Sequence, residues 1–156
     1  MPSLTADLET VARIGADPRG GVSRFAWTPE LAVANDWLGE RLAQLGLEVE
    51  LDPAGNVLGR WQAGEGKAVL LGSHLDTVPN GGRYDGALGV LAALDVVRRL
   101  KAEGVEPHRP LWVVSFNDEE GGRFQTGMLG SRAFCGDCDL GDWGGRDIPE
   151  AMAEAG

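Results

Sequence analysis

The sequence of 156 residues lacks most of the features by which several protein classes are recognised. Its two cysteines are too few for the disulfide framework of a small secreted domain. It has 14 Lys and Arg against 24 Asp and Glu, a formal net charge of −10, whereas phosphate backbones and anionic membranes require clustered positive charge. It contains no apolar run of the roughly 18 residues that a membrane span requires. The composition therefore predicts that neither nucleic acid nor a membrane is a partner.

Motifs of several common enzyme classes are also missing. No G-x-S-x-G motif places a serine nucleophile, and Gly66-Lys67 lacks the remaining residues of a phosphate-binding loop. Residues 1–15 are acidic and amphipathic rather than basic and apolar, so they do not match a secretory signal, and the sequence predicts a cytoplasmic protein. Glycine, in contrast, is abundant at 24 residues, and most of these fall in segments that predict loops.

Apolar residues at helical spacing predict three helices. The first ends at Gly15. The second begins at residues 28–30, Thr-Pro-Glu, which supply a capping hydroxyl, a proline for the first helical position and an acid for the first turn. This helix ends at Gly46. The third covers residues 87–104.

Four segments predict strands, at residues 47–51, 56–61, 69–71 and 111–116. The first two flank a turn and predict a hairpin. The last two are short and apolar on both faces, which predicts central positions in a sheet, and the third helix lies between them as a crossover. The sequence therefore predicts an α/β fold, a mixed and mostly buried sheet with helices on both faces.

Acidic residues and one histidine gather at the ends of the two central segments. His74 and Asp76 follow the first, Glu119 and Glu120 follow the second, and Asp85 lies in a glycine-rich loop at the start of the crossover helix. Ligand sites in open α/β sheets form outside the carboxyl ends of the strands, so we expect these side chains to converge. Imidazole and carboxylate groups bind zinc, and two ions together activate a water and polarise a carbonyl. The pattern indicates a metal-dependent hydrolase.

Each of these residues, taken singly, also fits an ordinary structural role. His74 fits a satisfied histidine beside a strand end, Asp76 fits a turn cap, and Asp85 fits a helix N-cap. The two glutamates fit a solvated acidic loop. The placement of all of them at one rim, on three separate loops, favours the metal site.

The pair Cys135 and Cys138 has the spacing of half a zinc ligand set or of a redox pair. No second pair accompanies it, and it follows a short turn rather than opening a helix. The spacing alone therefore predicts no function for these cysteines.

Three motifs resemble a known family: GSHLDTVP at residues 72–79, GGRYDG at 81–86 and FNDEEG at 116–121. They are similar to the M20-type metallopeptidase family that includes carboxypeptidase G and the aminoacylases. They resemble more closely its branch of N-carbamoyl-L-amino-acid hydrolases, β-ureidopropionases and allantoate amidohydrolases. The resemblance extends over about residues 20–134 and includes the shorter motifs TPE, AGN and GSRAF.

The resemblance implies a role for each candidate residue. His74 binds one metal ion, Asp85 bridges two ions, and Glu120 binds the other. Glu119 is the general base and acid, and Asp76 orients the ring of His74. The implied cofactors are two divalent ions, Zn²⁺, Mn²⁺ or Co²⁺, and the implied substrate is an N-carbamoyl amino acid or a ureido compound such as allantoate. The resemblance also implies a cis peptide bond between Asp85 and Gly86.

The sequence lacks some of the metal ligands and one of the domains of the family pattern. The family has two further histidine ligands, and the remaining histidine, His108, precedes the second central segment at the end opposite the site. The family also has a small lid domain that carries the dimer contact. We therefore expect residues 1–156 to be a partial catalytic domain, an incomplete fragment with a partial or empty metal site, of a homodimeric parent.

Two alternatives stay open at this point. One is a peptidase or aminoacylase of the same family type. The other is a non-catalytic fragment that binds metal weakly.

Overall fold

The computed structural model describes residues 3–123 and 127–137. Its helices are α1 (Leu4–Arg13), α2 (Pro29–Gln44), α3 (Ala87–Ala102) and α4 (Leu129–Phe134), and its strands are β1 (Glu48–Leu51), β2 (Val57–Trp61), β3 (Val69–His74) and β4 (Leu111–Phe116). None of these helices combines the length and the apolarity that crossing a membrane requires.

The second helix illustrates how local sequence sets these boundaries. The hydroxyl of Thr28 accepts a hydrogen bond from the backbone N–H of Leu31, and Pro29 occupies the first helical position. Gly46 ends the helix at a φ of +74°. The apolar stripe predicted from the sequence is the buried face, formed by Leu31, Ala34, Leu38 and Leu42.

The four strands form one mixed sheet in the order β1-β2-β4-β3. The pairs β1–β2 and β2–β4 are antiparallel, and β3 is parallel to β4 with α3 as the crossover between them. Leu111 and Val113 of β4 join α1, α2 and α3 in the main core. On the opposite face, Phe116 makes an edge contact with Phe134 of α4 at 5.9 Å between ring centroids. The predicted α/β class is therefore confirmed.

One predicted position is wrong within the described residues. β4 is central and largely buried, as expected, but β3 lies at the edge of the sheet. Val69 and Leu70 of β3 are 38% and 36% exposed. Apolar residues on both faces of a strand report what packs above and below it, and they do not report how many strands lie beside it.

The parallel pairing of β3 and β4 determines where the candidate site forms. His74, the last residue of β3, lies opposite Phe116, the last residue of β4. Both strands therefore end at the same edge of the sheet, and the residues that follow them share one rim.

Candidate metal centre

Three of the predicted residues meet at this rim. The ligand atoms of His74, Glu119 and Glu120 all lie within 4.8 Å of one another. The Nε2 atom of His74 is 3.5 Å from Oε2 of Glu119. His74 is buried, and the two glutamates are half-buried, so the cluster remains partly open to solvent.

The backbone of Asp76 fixes the orientation of the His74 ring. Nδ1 of the ring is 3.0 Å from the carbonyl oxygen of Asp76 and 3.6 Å from its carboxylate Oδ1. The shorter contact is a hydrogen bond and the longer one is an electrostatic contact. The ring can donate Nδ1–H to the carbonyl and turn Nε2 toward the glutamates, the arrangement that a metal-binding histidine requires.

The carboxylate of Asp76 has a second function that the sequence did not reveal. Its two oxygens accept hydrogen bonds from the backbone N–H groups of Glu119 and Glu120, at 3.2 Å and 3.1 Å. Asp76 is only 2% exposed. A single buried carboxylate therefore ties the loop after β3 to the loop after β4 and sets the spacing of the cluster.

Asp85 lies apart from the three clustered residues. It is exposed in the loop before α3, and it is not among the residues whose ligand atoms lie within 4.8 Å of one another. Its charge nevertheless contributes to the raised pKa of Glu120, so the two carboxylates are close enough to repel.

The expected cis peptide bond between Asp85 and Gly86 is wrong, because every peptide bond in the described residues is trans. Gly86 makes the sharp turn instead. It has φ +61° and ψ −51°, and the N–H of Ala87 donates to the carbonyl of Asp85 at 2.5 Å. These values describe a γ-turn, a strained conformation that glycine adopts at the lowest cost.

The acids around His74 change its protonation. Burial lowers the pKa of His74, but hydrogen bonds to Asp76 and the charges of Asp76 and Glu119 outweigh burial and raise the pKa to about 9. Without a cation in the cluster, the imidazolium is therefore the favoured form at neutral pH, where it partly balances the surrounding carboxylates.

The stability of the metal-free chain should consequently depend on pH. The folded-state pKa of about 9 lies above the ordinary value of 6.5, so the stabilisation is complete below pH 6.5 and is lost as the pH rises through 9. We expect the free energy of unfolding, measured by urea titration in the presence of a chelator, to fall between pH 6.5 and 9. His74→Gln should remove this slope, and replacement of the exposed His108 by Gln should leave it. An unchanged slope in His74→Gln would contradict the assignment.

The donor set fits a divalent cation. Burial raises the pKa of Glu120, and the carboxylates of Asp85, Glu119 and Asp76 raise it further, whereas His74 opposes the shift. A cation placed among these carboxylates would relieve their repulsion of Glu120. Imidazole nitrogen and carboxylate oxygen are also ligands that zinc accepts.

A network of buried asparagines supports the loop after β4, and sequence reasoning did not identify it. Asn56 accepts a hydrogen bond from the backbone N–H of Asn117 and donates one to the carbonyl of Gly130, both at 2.9 Å. A Cβ atom at Gly130 would lie 2.1 Å from Oδ1 of Asn56. The signal was present in the AGN and GSRAF motifs, but the contacts join residues 61 and 74 positions apart, which no local pattern indicates.

The remaining sequence candidates lie away from the cluster or outside the described residues. Cys135 is exposed just after α4. Cys138 lies outside the described residues, so the cysteine pair stays untested. His108 is exposed in the loop before β4, at the opposite end of that strand from the site, as predicted.

Comparison with known proteins places these features in a family context. The model of Peptidase family M28 matches residues 56–142. The chain is 44% identical over 156 residues to N-carbamoyl-L-amino acid amidohydrolase of Geobacillus stearothermophilus, covering 96% of this chain and 38% of that protein. It is 40% identical to allantoate amidohydrolase of Bacillus subtilis, covering 83% of this chain and 32% of that protein.

A solved structure of an amidase is also similar to this chain in sequence and in fold. A hydantoinase/carbamoylase family amidase from Burkholderia ambifaria superimposes with a TM-score of 0.91 at 41% identity, covering 97% of this chain and 40% of the other. The named relatives confirm the predicted branch of carbamoyl and allantoate amidohydrolases, while the matching family model is M28 rather than the M20-type family named from the motifs. The chain spans about 40% or less of the length of each of these relatives.

Proposed function

Because the chain belongs to peptidase family M28, we propose that it forms the metal-binding part of an amidohydrolase that cleaves a C–N bond in an N-carbamoyl amino acid, allantoate or a similar ureido compound. The observation that carries this proposal is the convergence of His74, Glu119 and Glu120 at the carboxyl edge of β3 and β4. Relatives named for N-carbamoyl amino acids and for allantoate support the substrate class.

In this proposal the acids and the histidine have separate roles. His74, Glu120 and Asp85 would hold divalent ions, which would be Zn²⁺, Mn²⁺ or Co²⁺. When bound, such ions polarise the substrate carbonyl and lower the pKa of the attacking water. The side chain of Glu119 is 38% exposed, so it can reach a substrate at the site.

The proton transfers belong to Glu119. Its carboxylate takes a proton from the attacking water and passes it to the nitrogen that leaves, as a general base and then a general acid. The backbone of Glu119 is held by Asp76, so its side chain starts from a fixed position. The carbonyl of Asp76 holds Nδ1 of His74, which keeps Nε2 directed at the site.

The domain organisation is also a proposal. We place residues 1–156 in a catalytic domain whose lid, dimer contact and two further histidine ligands belong to the rest of a cytoplasmic homodimeric enzyme. The small share of each relative that the chain covers supports this arrangement.

A substrate panel tests the proposed reaction. The protein is loaded with Zn²⁺, Mn²⁺ or Co²⁺ in turn and incubated with N-carbamoyl-L-amino acids, allantoate, N-acetyl amino acids and dipeptides. Metal-dependent release of ammonia from the carbamoyl or ureido compounds is the expected result. Release of amino acids from acetyl or dipeptide substrates, without turnover of the carbamoyl compounds, favours the peptidase or aminoacylase alternative. Metal binding with no turnover of any substrate favours the non-catalytic alternative.

Replacing each of the two glutamates with glutamine should affect turnover and metal binding differently. Glu119→Gln removes the proton carrier, so turnover should fall by about 100-fold to 10,000-fold while metal content stays near that of the unmodified protein. Glu120→Gln removes a charged ligand, so metal affinity should fall first and turnover with it. Metal content by atomic emission, measured beside the ammonia assay, distinguishes the two. If Glu119→Gln loses the metal and Glu120→Gln keeps it, the roles are exchanged.

A further inference from the structure

Arg24 is a buried arginine that the proposed reaction does not use. It lies before α2 and is only 2% exposed. Its Nε atom donates to the carbonyl oxygen of Leu75 at 2.6 Å, and its NH1 group donates to the carbonyls of Val11 and Ile14, both at 2.9 Å. The guanidinium therefore connects the C-terminal end of α1 to the residue between His74 and Asp76.

The backbone around Arg24 is attached to the same loop. Its N–H donates to Oγ1 of Thr77 at 2.9 Å, and the N–H of Thr77 donates to the carbonyl of Arg24 at 2.8 Å. The hydroxyl of Thr77 donates in turn to the carbonyl of Val22 at 3.1 Å. The segment that carries Arg24 therefore lies beside the loop after β3 and is bonded to it on both sides of Asp76.

The charge of Arg24 has an identifiable partner. Burial lowers the pKa of Arg24 to about 10, and the carboxylate of Asp76 acts in the opposite direction. Arg24 stays cationic at neutral pH, and a buried cation is costly unless an anion lies near it. The positive charge of Arg24 therefore acts on the same carboxylate that accepts hydrogen bonds from the backbone N–H groups of Glu119 and Glu120.

We propose that Arg24 is a positioning residue for the metal centre: it holds Leu75 and Thr77 on either side of Asp76. Through Asp76 it positions the ring of His74 and the loop of Glu119 and Glu120. This inference rests on the proposed metal site and adds a residue 50 positions away in sequence from His74. Arg24 acts through Asp76 and touches no ligand atom itself. Its loss should change the geometry of the metal centre as well as the stability of the fold.

Arg98 provides a matched control. Its side chain is 11% exposed, so it is largely buried, and it also attaches α1, because it bonds Asp7 of α1 and Asp95 of α3. It lies eleven residues beyond the start of α3, which is roughly 16 Å along the helix axis from the rim. Replacing Arg98 therefore removes a buried arginine and an attachment of α1 without disturbing Leu75 or Asp76.

The experiment measures Co²⁺ affinity and the visible absorption spectrum of bound Co²⁺ in the full chain and in Arg24→Met, Arg24→Lys and Arg98→Met, with urea unfolding on each. Arg24→Met should bind Co²⁺ about 10-fold to 100-fold more weakly, with a shifted spectrum, as expected when a partner of a ligand is lost. Arg24→Lys should recover part of the affinity because it keeps the charge. Arg98→Met should lose stability with its Co²⁺ affinity and spectrum unchanged.

Several results would overturn the proposal. One is a normal Co²⁺ affinity and spectrum in Arg24→Met, whatever its stability. Another is an equal loss of affinity in Arg98→Met, which would assign the effect to stability alone. If Arg24→Met does not fold, the comparison of Arg24→Lys with Arg98→Lys decides: weaker binding is expected only in the former, and equal binding refutes the proposal. Failure of the unmodified chain to bind Co²⁺ would instead refute the metal site of the proposed function, and this inference with it.

Discussion

Replacing Gly86 with alanine should strongly weaken metal binding at the proposed site. An added Cβ atom would lie 2.5 Å from Cε1, Nδ1 and the carbonyl oxygen of His74 at once, so the ring has to move from its present position. The φ of +61° also makes any side chain unfavourable at this position, by about 1–2 kcal/mol. Because the displaced residue is a proposed ligand itself, we expect Zn²⁺ or Co²⁺ affinity to fall by about 100-fold or more, beyond the loss typical of an outer partner.

Two other glycines separate the collision from the backbone strain. Gly104 has a φ of +67° and open space around the position of its Cβ, so Gly104→Ala also places a side chain at a positive φ but without the collision. At Gly82 an added Cβ would lie 4.0 Å from that of Asp85, an ordinary contact in the same loop. Calorimetric titration should show near-normal metal affinity in both controls. Equal losses in Gly86→Ala and Gly104→Ala would show that strain, and not the position of the His74 ring, is responsible.

The second large effect is expected for Asp76→Asn, which changes shape very little. An amide offers one acceptor oxygen where the carboxylate offers two, and its NH₂ group would face the N–H of Glu119 or Glu120. The substitution also removes the anion beside the buried Arg24. We expect a loss of roughly 3 kcal/mol in the free energy of unfolding, since an uncompensated buried charge is costly. We also expect a 10-fold to 100-fold loss of metal affinity, a magnitude typical of an outer partner of a ligand.

Asp95→Asn is the matched control for this prediction. Asp95 is 8% exposed and is paired with Arg98 and Arg99 on α3, so its replacement also breaks buried ion pairs. It should lower stability in urea unfolding and leave metal affinity unchanged. A normal metal affinity in Asp76→Asn would mean that the two backbone N–H groups are held in place by the remainder of the loop.

The sequence was informative where local patterns determine geometry. Two apolar segments joined by a helix predict a parallel pair, and residues just after such strands share one rim, so the meeting of His74 with Glu119 and Glu120 followed from spacing. The edge position of β3 did not follow, because it depends on which strands are present beside it and not on its own side chains.

Long-range hydrogen bonds explain most of what sequence reasoning missed. The carboxylate of Asp76 bonds groups 43 and 44 residues away, and Arg24 bonds a carbonyl 51 residues away. A buried arginine or aspartate has no periodic signature. Arg24 was visible only as one polar residue in a loop, and the role implied for Asp76 did not include its bonds to the loop after β4. The turn at Gly86 was misjudged for a different reason: glycine offers a positive φ at low cost, so a sharp turn there needs no cis bond.

The crowding of acids around His74 links metal supply to the amount of folded chain. In the unfolded chain these carboxylates are far apart and do not repel one another, whereas in the native state they are close together and repel. An ion that binds only the native state adds about 2.7 kcal/mol at a free concentration 100 times its dissociation constant. With metal bound at the proposed site, a change in available metal would therefore shift the folding equilibrium of the chain, and proteases that attack unfolded chains would remove it faster when metal is scarce.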